Sequence, residues 1–213
     1  NGITSQFPNS HIITTSIEHD AILEPCKKLS SNAFKVDYLP VDKFGMINPL
    51  DLENIISEKT SLVSVMFGNN EVGTIQPIQK IAKICHKNQI IFHTDAVQVV
   101  GKITVDVKEL DVDLLSISSH KLHGPKGIGA LYIKDGVKIN PMILGGGQEF
   151  RLRSGTENVA NIVGFGQACE IAQNHLTENN SLVNKLQSQL VKKVLAEIPE
   201  VTFNGHEKYR LCN

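Results

Sequence analysis

Apolar strand-like runs alternate with amphipathic helical patterns between residues 11 and 133, and this alternation constrains the fold more than any other feature. The predicted strands are residues 11–15, 34–39, 62–67, 90–93, 112–117 and 128–133, and the predicted helices among them are 21–29, 49–56 and 77–87. Several strands are apolar on both faces, which is typical of strands covered by helices on two sides. The sequence therefore predicts an α/β fold with a mostly parallel central sheet flanked by helices.

The C-terminal third changes character and predicts a different organisation. A long helical pattern covers residues 158–198, with a polar stretch at 174–181 that bends or interrupts it. A strand-like run at 201–203 follows. We interpret residues 1–157 as part of a large domain, 158–198 as a long connecting helix and 199–213 as the start of a small C-terminal domain.

The overall charge and composition argue against several classes of function. The formal net charge is -1 and basic residues form no extended cluster, so neither nucleic acid nor a membrane surface is an expected partner. No apolar run approaches the roughly 18 residues that a membrane-spanning helix needs. Four scattered cysteines favour reduced thiols over disulfides or a zinc site. The expected compartment is the cytoplasm, with a mitochondrial compartment as the alternative.

Polar residues follow four of the predicted strands at the points where those strands end. They are the pair at 18–19, the Asn-Asn-Glu run at 69–71, the run at 94–98 and the Ser-Ser-His-Lys run at 118–121. Ligands of parallel sheets bind at the carboxyl ends of the strands. A single polar strand end is usually a helix cap, but four together predict a binding site at this edge.

Lys121 is the first candidate for a chemical role, because it lies between two histidines on a loop joining two predicted buried strands. Lysine is the side chain that forms Schiff bases with carbonyl cofactors. We therefore hypothesise that Lys121 anchors pyridoxal phosphate (PLP), against the alternative of a solvated lysine in a Gly/Pro turn.

The other strand ends supply side chains that suit such a cofactor. Asp95 could pair with a protonated pyridine nitrogen, or it could simply cap a helix. Gln98 could donate to the phenolic oxygen of the ring, or it could be an ordinary surface residue. His19 could stack on the ring and transfer protons, or it could be structural. Asn69 and Asn70 offer amide donors, although paired asparagines are common in turns.

Two loops rich in small residues surround a basic centre further along the chain. They are Gly-Gly-Gly-Gln-Glu at 145–149 and Arg-Ser-Gly-Thr at 153–156. Glycine backbone, a hydroxyl and an arginine together can bind phosphate or carboxylate. The alternative is a flexible linker.

Taken together, these motifs resemble the NifS/IscS-like cysteine desulfurases, which are PLP enzymes of the class V aminotransferase family. The resemblance covers residues 11–172 and includes Glu-His at 18–19, Asn-Asn-Glu-Val-Gly at 69–73, His-Thr-Asp-Ala-Val-Gln at 93–98, Ser-Ser-His-Lys at 118–121, Gly-Pro-Lys-Gly-Ile-Gly-Ala-Leu-Tyr at 124–132 and the two loops at 145–149 and 153–156.

The resemblance implies the type I fold of PLP-dependent transferases and a set of residue roles. Lys121 would hold PLP covalently and move protons, and His19 would stack on the ring and assist. The remaining implied cofactor contacts are Asp95 at the ring nitrogen, Gln98 at the phenolic oxygen, Asn70 at cofactor or substrate, Ser118 and His120 at the phosphate, and Thr156 at the phosphate of a partner subunit. The last contact implies a homodimer, and no metal is expected.

The implied reaction removes sulfur from L-cysteine as a persulfide on a protein cysteine and leaves L-alanine, for delivery to a sulfur-acceptor scaffold protein in iron-sulfur cluster assembly. Selenocysteine lyase is the alternative within the family, and an inert scaffold or partner-binding homologue is the alternative outside enzymes. We expect the family's phosphate loop before Asn1 and its sulfur-accepting cysteine beyond Asn213, so this chain should not complete the reaction alone. Phe150 stands where many members carry arginine.

Overall fold

A computed structural model describes residues 2–212 and places a six-stranded sheet at their centre. In chain order the strands are β1 His11–Thr15, β2 Lys35–Leu39, β3 Thr60–Ser64, β4 Ile91–Asp95, β5 Leu114–Ser118 and β6 Gly129–Ile133. Their order across the sheet is β2-β1-β3-β4-β5-β6. All neighbours are parallel except β6, which runs antiparallel to β5. The predicted mostly parallel α/β fold is thus confirmed.

The helices follow the predicted alternation. They are α1 Asp20–Ser30, α2 Pro49–Ile55, α3 Ile78–Lys87, α4 Val107–Leu110, α5 Val159–Asn174 and α6 Leu176–Glu197. Asn48 caps α2 through its side chain and Pro49 occupies the first turn, where its missing N–H costs nothing. The short helix α4, capped by Asp106, has no counterpart among the sequence predictions. No helix within residues 2–212 is long and apolar enough to cross a membrane.

One hydrophobic core joins the sheet to its helices. Strand residues Ile13, Val63 and Phe92 are fully buried in it, and so are Leu52 of α2 and Ile81 of α3. The helical residues recur at the spacing that places them on one face, which is the pattern that predicted these helices. Burial on this scale holds the strands in register and therefore fixes where their carboxyl ends lie.

Strand β3 differs from its prediction at both ends, since residues 62–67 were expected and Thr60–Ser64 are observed. Backbone bonds to β4 continue past Ser64, because the Phe67 N–H still donates to the Asp95 carbonyl at 2.9 Å. On the other side, the Met66 N–H donates to Glu18 Oε1 at 2.7 Å instead of to a strand. A side-chain carboxyl therefore replaces the ladder where β1 and β3 end.

The long C-terminal helical pattern is broken once, inside the polar stretch that predicted a bend. Helix α5 ends at Asn174 and α6 begins at Leu176, with His175 between them. The first of these helices packs onto the sheet domain through Phe165 and Ala168, which contact Leu122.

The predicted strand at 201–203 is wrong, because those residues are irregular. The extended pairing lies further on, where Arg210 bridges Thr74 in an antiparallel manner and the Leu211 N–H donates to the Gly73 carbonyl at 2.9 Å. Leu211 is buried in the main core, which explains why this later segment pairs. The division of residues 199–213 into a second domain stays a prediction.

Two leucines of α2 provide a matched test of the core. We expect Leu52→Ala to lower the free energy of unfolding by about 2–5 kcal/mol, since this fully buried side chain leaves a cavity when truncated. Leu50→Ala, at a position that is 62% exposed, should change it by less than about 0.5 kcal/mol. Urea denaturation followed by circular dichroism measures both, and equal effects would contradict this packing.

Candidate active site

The four polar clusters lie at the carboxyl ends of β1, β3, β4 and β5, and direct hydrogen bonds join them. Asn69 Nδ2 donates to the Ile17 carbonyl at 3.1 Å, which ties the β3 end to the β1 end. The Ala96 N–H donates to the Ser116 carbonyl at 3.0 Å, which ties the β4 end to β5. Residues far apart in sequence therefore share one edge of the sheet.

A cleft of about 680 Å³ opens beside the ends of β1 and β3. Its walls come from the end of β1, the 42–45 turn, the 69–72 loop and the returning C-terminal segment. The polar side chains at this cleft include Glu18, His19, Lys43, Asn69, Asn70, Glu71 and Asn204. Two of the residues singled out from sequence, His19 and Asn70, thus line the same cleft.

His19 is held by its own helix. It is the N-cap of α1, and its Nδ1 accepts a hydrogen bond from the Ala21 N–H at 3.1 Å. This bond assigns the proton of the neutral ring to Nε2, because Nδ1 is already an acceptor. The ring is exposed, so His19 is a structural cap and also presents a free N–H at the site edge.

Asp95 ends β4 and is 9% exposed. Its Oδ1 accepts from the Val97 N–H at 2.9 Å, which is the local capping that its position also allowed. Within residues 2–212, no group donates a hydrogen bond to the other carboxyl oxygen of Asp95, Oδ2. Burial raises the pKa of the Asp95 carboxyl, while the Val97 N–H and nearby His19 act in the opposite direction. The carboxyl therefore keeps one acceptor oxygen available for a positively charged donor.

Lys121 lies on a rigid 3-10 turn, Ser119–Leu122, directly after β5. Ser119 and Leu122 are buried and anchor the turn, whereas the Lys121 side chain is exposed. Gly124 follows the turn in a crowded position, since a Cβ there would lie 2.3 Å from Ser119 Oγ and 2.9 Å from Ala168 Cβ. The turn therefore presents an exposed lysine between two buried residues, at the position of the hypothesised cofactor anchor.

Ser118 and His120, the two residues implied as phosphate ligands, lie together beside Lys121. Ser118 Oγ and His120 Nδ1 are 2.7 Å apart and share a hydrogen bond. Both side chains are at least partly open to solvent. A hydroxyl and an imidazole in contact at a strand end form a donor pair that suits an anion.

The two asparagines at the end of β3 have different roles. Asn69 is buried, and its Oδ1 accepts from the Glu71 and Val72 N–H groups at 2.8 and 2.9 Å. It therefore organises the turn, as the structural alternative predicted. Asn70 is exposed and faces the cleft, so its amide is the one that can contact a ligand.

Gln98 is hydrogen-bonded to another side chain of the chain, whereas Thr156 is exposed on a separate loop. The Oε1 of Gln98 accepts from Lys102 Nζ at 3.2 Å, so one half of its amide is engaged within the chain. Thr156 is exposed beside the two small-residue loops, which do pack together: Ser154 Oγ donates to the Gly146 carbonyl at 2.8 Å. Phe150 is 94% exposed on the same double loop.

Sequence reasoning assigned no role to Glu18, yet it is the most unusual ionisable group at this edge. It is 5% exposed, and its Oε1 accepts from Thr15 Oγ1 at 2.8 Å and from the Met66 N–H. Its Oε2 is buried without a hydrogen-bond partner. Burial raises the pKa of Glu18 to about 7, against those two hydrogen bonds, and the charge of Asp95 raises it further. Only the fold reveals this, since the sequence shows just a glutamate beside a histidine.

His93 has no predicted role, although it is the first residue of the motif at 93–98. Its Nδ1 and Nε2 are each 2.8 Å from a serine hydroxyl, Ser64 Oγ on β3 and Ser116 Oγ on β5. Burial lowers the pKa of His93 to about 4, so the ring is neutral at physiological pH. This imidazole links three adjacent strands immediately below Asp95. Within residues 2–212, no group of three or more His, Cys, Asp or Glu side chains is placed so that it could hold a metal ion.

The profile of the family described as aminotransferase class-V matches residues 2–213. The chain belongs to the aminotransferase class-V family. A curated relative from Methanosarcina thermophila, named cysteine desulfurase IscS, is 53% identical over 203 residues, which are 95% of this chain and 50% of that protein. The human protein named cysteine desulfurase is 45% identical over 201 residues, which are 93% of this chain and 44% of that one. The chain spans about half the length of these relatives.

Solved structures similar to this chain are consistent with this assignment. One titled as a NifS-like protein superposes with a TM-score of 0.95 at 45% identity, covering 100% of this chain and 59% of the other. Another, titled SspA in complex with cysteine, gives a TM-score of 0.76 at 43% identity over 79% of this chain and 49% of its own. The resemblance to NifS/IscS-like proteins and their type I PLP-dependent fold is thereby confirmed.

The buried Glu18 carboxyl predicts a pH-dependent stability. Because the folded-state pKa of Glu18, about 7, lies above the ordinary glutamate pKa of 4.5, folding favours the protonated form and wild-type stability falls as pH rises between these values. We expect Glu18→Gln to remove this loss, so that the variant gains about 2–3 kcal/mol relative to wild type between pH 4 and pH 8. Chemical denaturation at a series of pH values measures the difference.

Glu53→Gln is the matched control, since Glu53 is exposed on α2 and undergoes the same chemical change. The gain of the Glu18→Gln variant between pH 4 and pH 8 should exceed that of the Glu53→Gln variant. A Glu18→Gln difference that is independent of pH would show that Glu18 is ionised normally in the folded protein.

Proposed function

We propose that the full-length protein is a PLP-dependent cysteine desulfurase that releases L-alanine from L-cysteine and supplies sulfur for iron-sulfur cluster or thio-cofactor assembly. One observation carries this proposal: the half-free carboxyl of Asp95 ends β4, and Lys121 lies on the turn that directly follows the neighbouring strand β5 at the same edge of the sheet. A covalent anchor and a partner for a ring nitrogen are the two groups that PLP chemistry needs from a protein.

The donor set at this edge fits PLP. Asp95 Oδ2 would accept from the pyridine nitrogen, and Lys121 would hold the cofactor's carbonyl carbon. Ser118 and His120, already in contact, would bind the phosphate. Bound PLP supplies an electron sink for the substrate's α-carbon, and Asp95 keeps that sink effective through its negative charge.

Contacts to the substrate would come from residues that line the cleft beside the ends of β1 and β3. His19 would lie over the ring, with its Nε2–H directed to the reacting group and Nδ1 held by Ala21. The His19 imidazole would hold or release a proton at Nε2 during turnover. Asn70 would contact cofactor or substrate from the end of β3.

The sulfur balance requires an acceptor thiol. The carbon–sulfur bond of L-cysteine breaks, a sulfur–sulfur bond forms on the acceptor, and the proton of the acceptor thiol ends on L-alanine. Burial raises the pKa of Cys26 to about 11 and that of Cys85 to about 12, and it also raises the pKa of Cys169. The thiolate is the nucleophile, so none of these three helical cysteines is suited to accept sulfur.

L-cysteine is the proposed substrate because two curated relatives are named cysteine desulfurase and one similar solved structure is titled as a complex with cysteine. Selenocysteine is the alternative.

A homodimer would bring Thr156, exposed beside the double loop, to the phosphate of the partner subunit. A sulfur-acceptor scaffold protein is the expected partner, and four free cysteines suit a reducing compartment such as the cytoplasm or the mitochondrial matrix.

The anchor role is tested by Lys121→Ala in the full-length protein. Wild type incubated with PLP should become yellow, and the variant should lose that absorbance band and at least about 100-fold in alanine release, because the covalent attachment is gone. Lys126→Ala, on the same loop and exposed, is the control and should keep both. A colourless wild type that never takes up PLP would overturn the proposal in favour of an inert homologue.

The substrate is tested by measuring alanine release from L-cysteine and L-selenocysteine under anaerobic conditions. Turnover of L-cysteine is expected, with a persulfide detected on the protein by mass spectrometry. Turnover of selenocysteine alone would identify a selenocysteine lyase instead.

A further inference from the structure

Lys102 is a partly buried lysine that touches a residue of the proposed cofactor site. Its Nζ donates to Gln98 Oε1 at 3.2 Å. The ion pairs of residues 2–212 do not include Lys102, so its charge has no carboxylate partner there. A charge without an ionic partner that is partly removed from water is costly, and the hydrogen bond to Gln98 offsets part of that cost.

The turn that carries Lys102 is fixed against the turn that carries Lys121. Gly101 has a φ of 79°, and a Cβ there would lie 2.4 Å from Leu122 Cδ2, so only glycine allows this approach. Leu122 belongs to the 3-10 turn of Lys121. Gly101 thus packs against the Leu122 side chain, and Lys102 and Lys121 each adjoin one of these two residues.

A second set of bonds holds Lys102 from the C-terminal side. Its carbonyl accepts from Asn180 Nδ2, and Asn180 Oδ1 accepts from Cys212 Sγ at 3.4 Å. Asn180 of α6 and Cys212, the last described residue, thus hold the backbone of Lys102, while its ammonium lies against Gln98.

The contact determines which way the Gln98 amide faces. An amide has one acceptor oxygen and one donor NH₂ group, whereas an ammonium only donates. Turning the Gln98 amide over would place two donors against each other, so the oxygen must face Lys102. The NH₂ group is then left to donate elsewhere.

We propose that Lys102 is a positioning residue that orients Gln98 so that its NH₂ group donates to the phenolic oxygen of PLP. This inference rests on the proposed function, because it needs the ring to lie between Asp95 and Lys121. Lys102 also places a positive charge near Lys121. Two titratable groups act on Lys102: Cys212 and Lys121. Burial lowers the pKa of Lys102, Cys212 opposes that effect and Lys121 adds to it.

The test uses the full-length, PLP-loaded protein and the pH at which its visible absorbance band changes. Lys102→Met should raise this midpoint by at least about half a pH unit, because the loss of a nearby positive charge and of an oriented donor both favour protonation. Lys102→Arg keeps the charge and the donors and should stay nearer to wild type. Lys108→Met, exposed on α4, is the control and should leave the midpoint unchanged.

A double-mutant cycle separates positioning from a purely structural role. In a Gln98→Ala background, Lys102→Met should shift the midpoint less than it does in wild type, because part of its effect acts through Gln98. Lys102→Gln gives a second neutral variant if the methionine variant does not fold.

The failures of the two proposals are distinguishable. A wild-type protein that shows the band, with both neutral variants at the wild-type midpoint, overturns the role of Lys102 alone. A wild-type protein that takes up no PLP overturns the proposed function instead. Equal shifts in the two Gln98 backgrounds would show that Lys102 acts by its charge and does not position Gln98.

Discussion

Parallel pairing of buried strands is the constraint on which the rest of this structure depends. Because β1, β3, β4 and β5 run in one direction, their carboxyl ends meet at one edge. The core that packs the helices onto the sheet fixes the register of the strands. The register in turn sets the relative positions of Asp95 and of the turn that carries Lys121. The geometry of the candidate site therefore depends on apolar packing elsewhere in the sheet.

Buried polar groups complete what the apolar core begins. Glu18 joins the ends of β1 and β3, and His93 joins β3, β4 and β5 through two serine hydroxyls. Burial disfavours the charged form of both groups, since it raises the pKa of Glu18 to about 7 and lowers the pKa of His93 to about 4. The His93 ring, two residues before Asp95 on β4, is therefore neutral at physiological pH.

Much of the fold was predictable because apolar periodicity reports burial directly. The pattern placed β1 without error and most other elements within about two residues, and it located the break at His175 within a polar stretch. It was wrong where tertiary contacts compete with local preference. Residues 201–203 match the strand pattern, but residues 209–211 are the ones that pair near Gly73 and Thr74 and place a leucine in the core.

The sequence by itself determined the class of sheet, the strand ends that carry polar residues and the resemblance to NifS/IscS-like enzymes. Tertiary structure alone decided how those residues divide their work: Asn69 shapes a turn while Asn70 faces the cleft, and Gln98 is engaged by Lys102. It alone exposed the environment of Glu18. The physical reason is that periodicity encodes which side of an element is buried, whereas hydrogen-bond partners and pKa values depend on atoms brought together from distant segments.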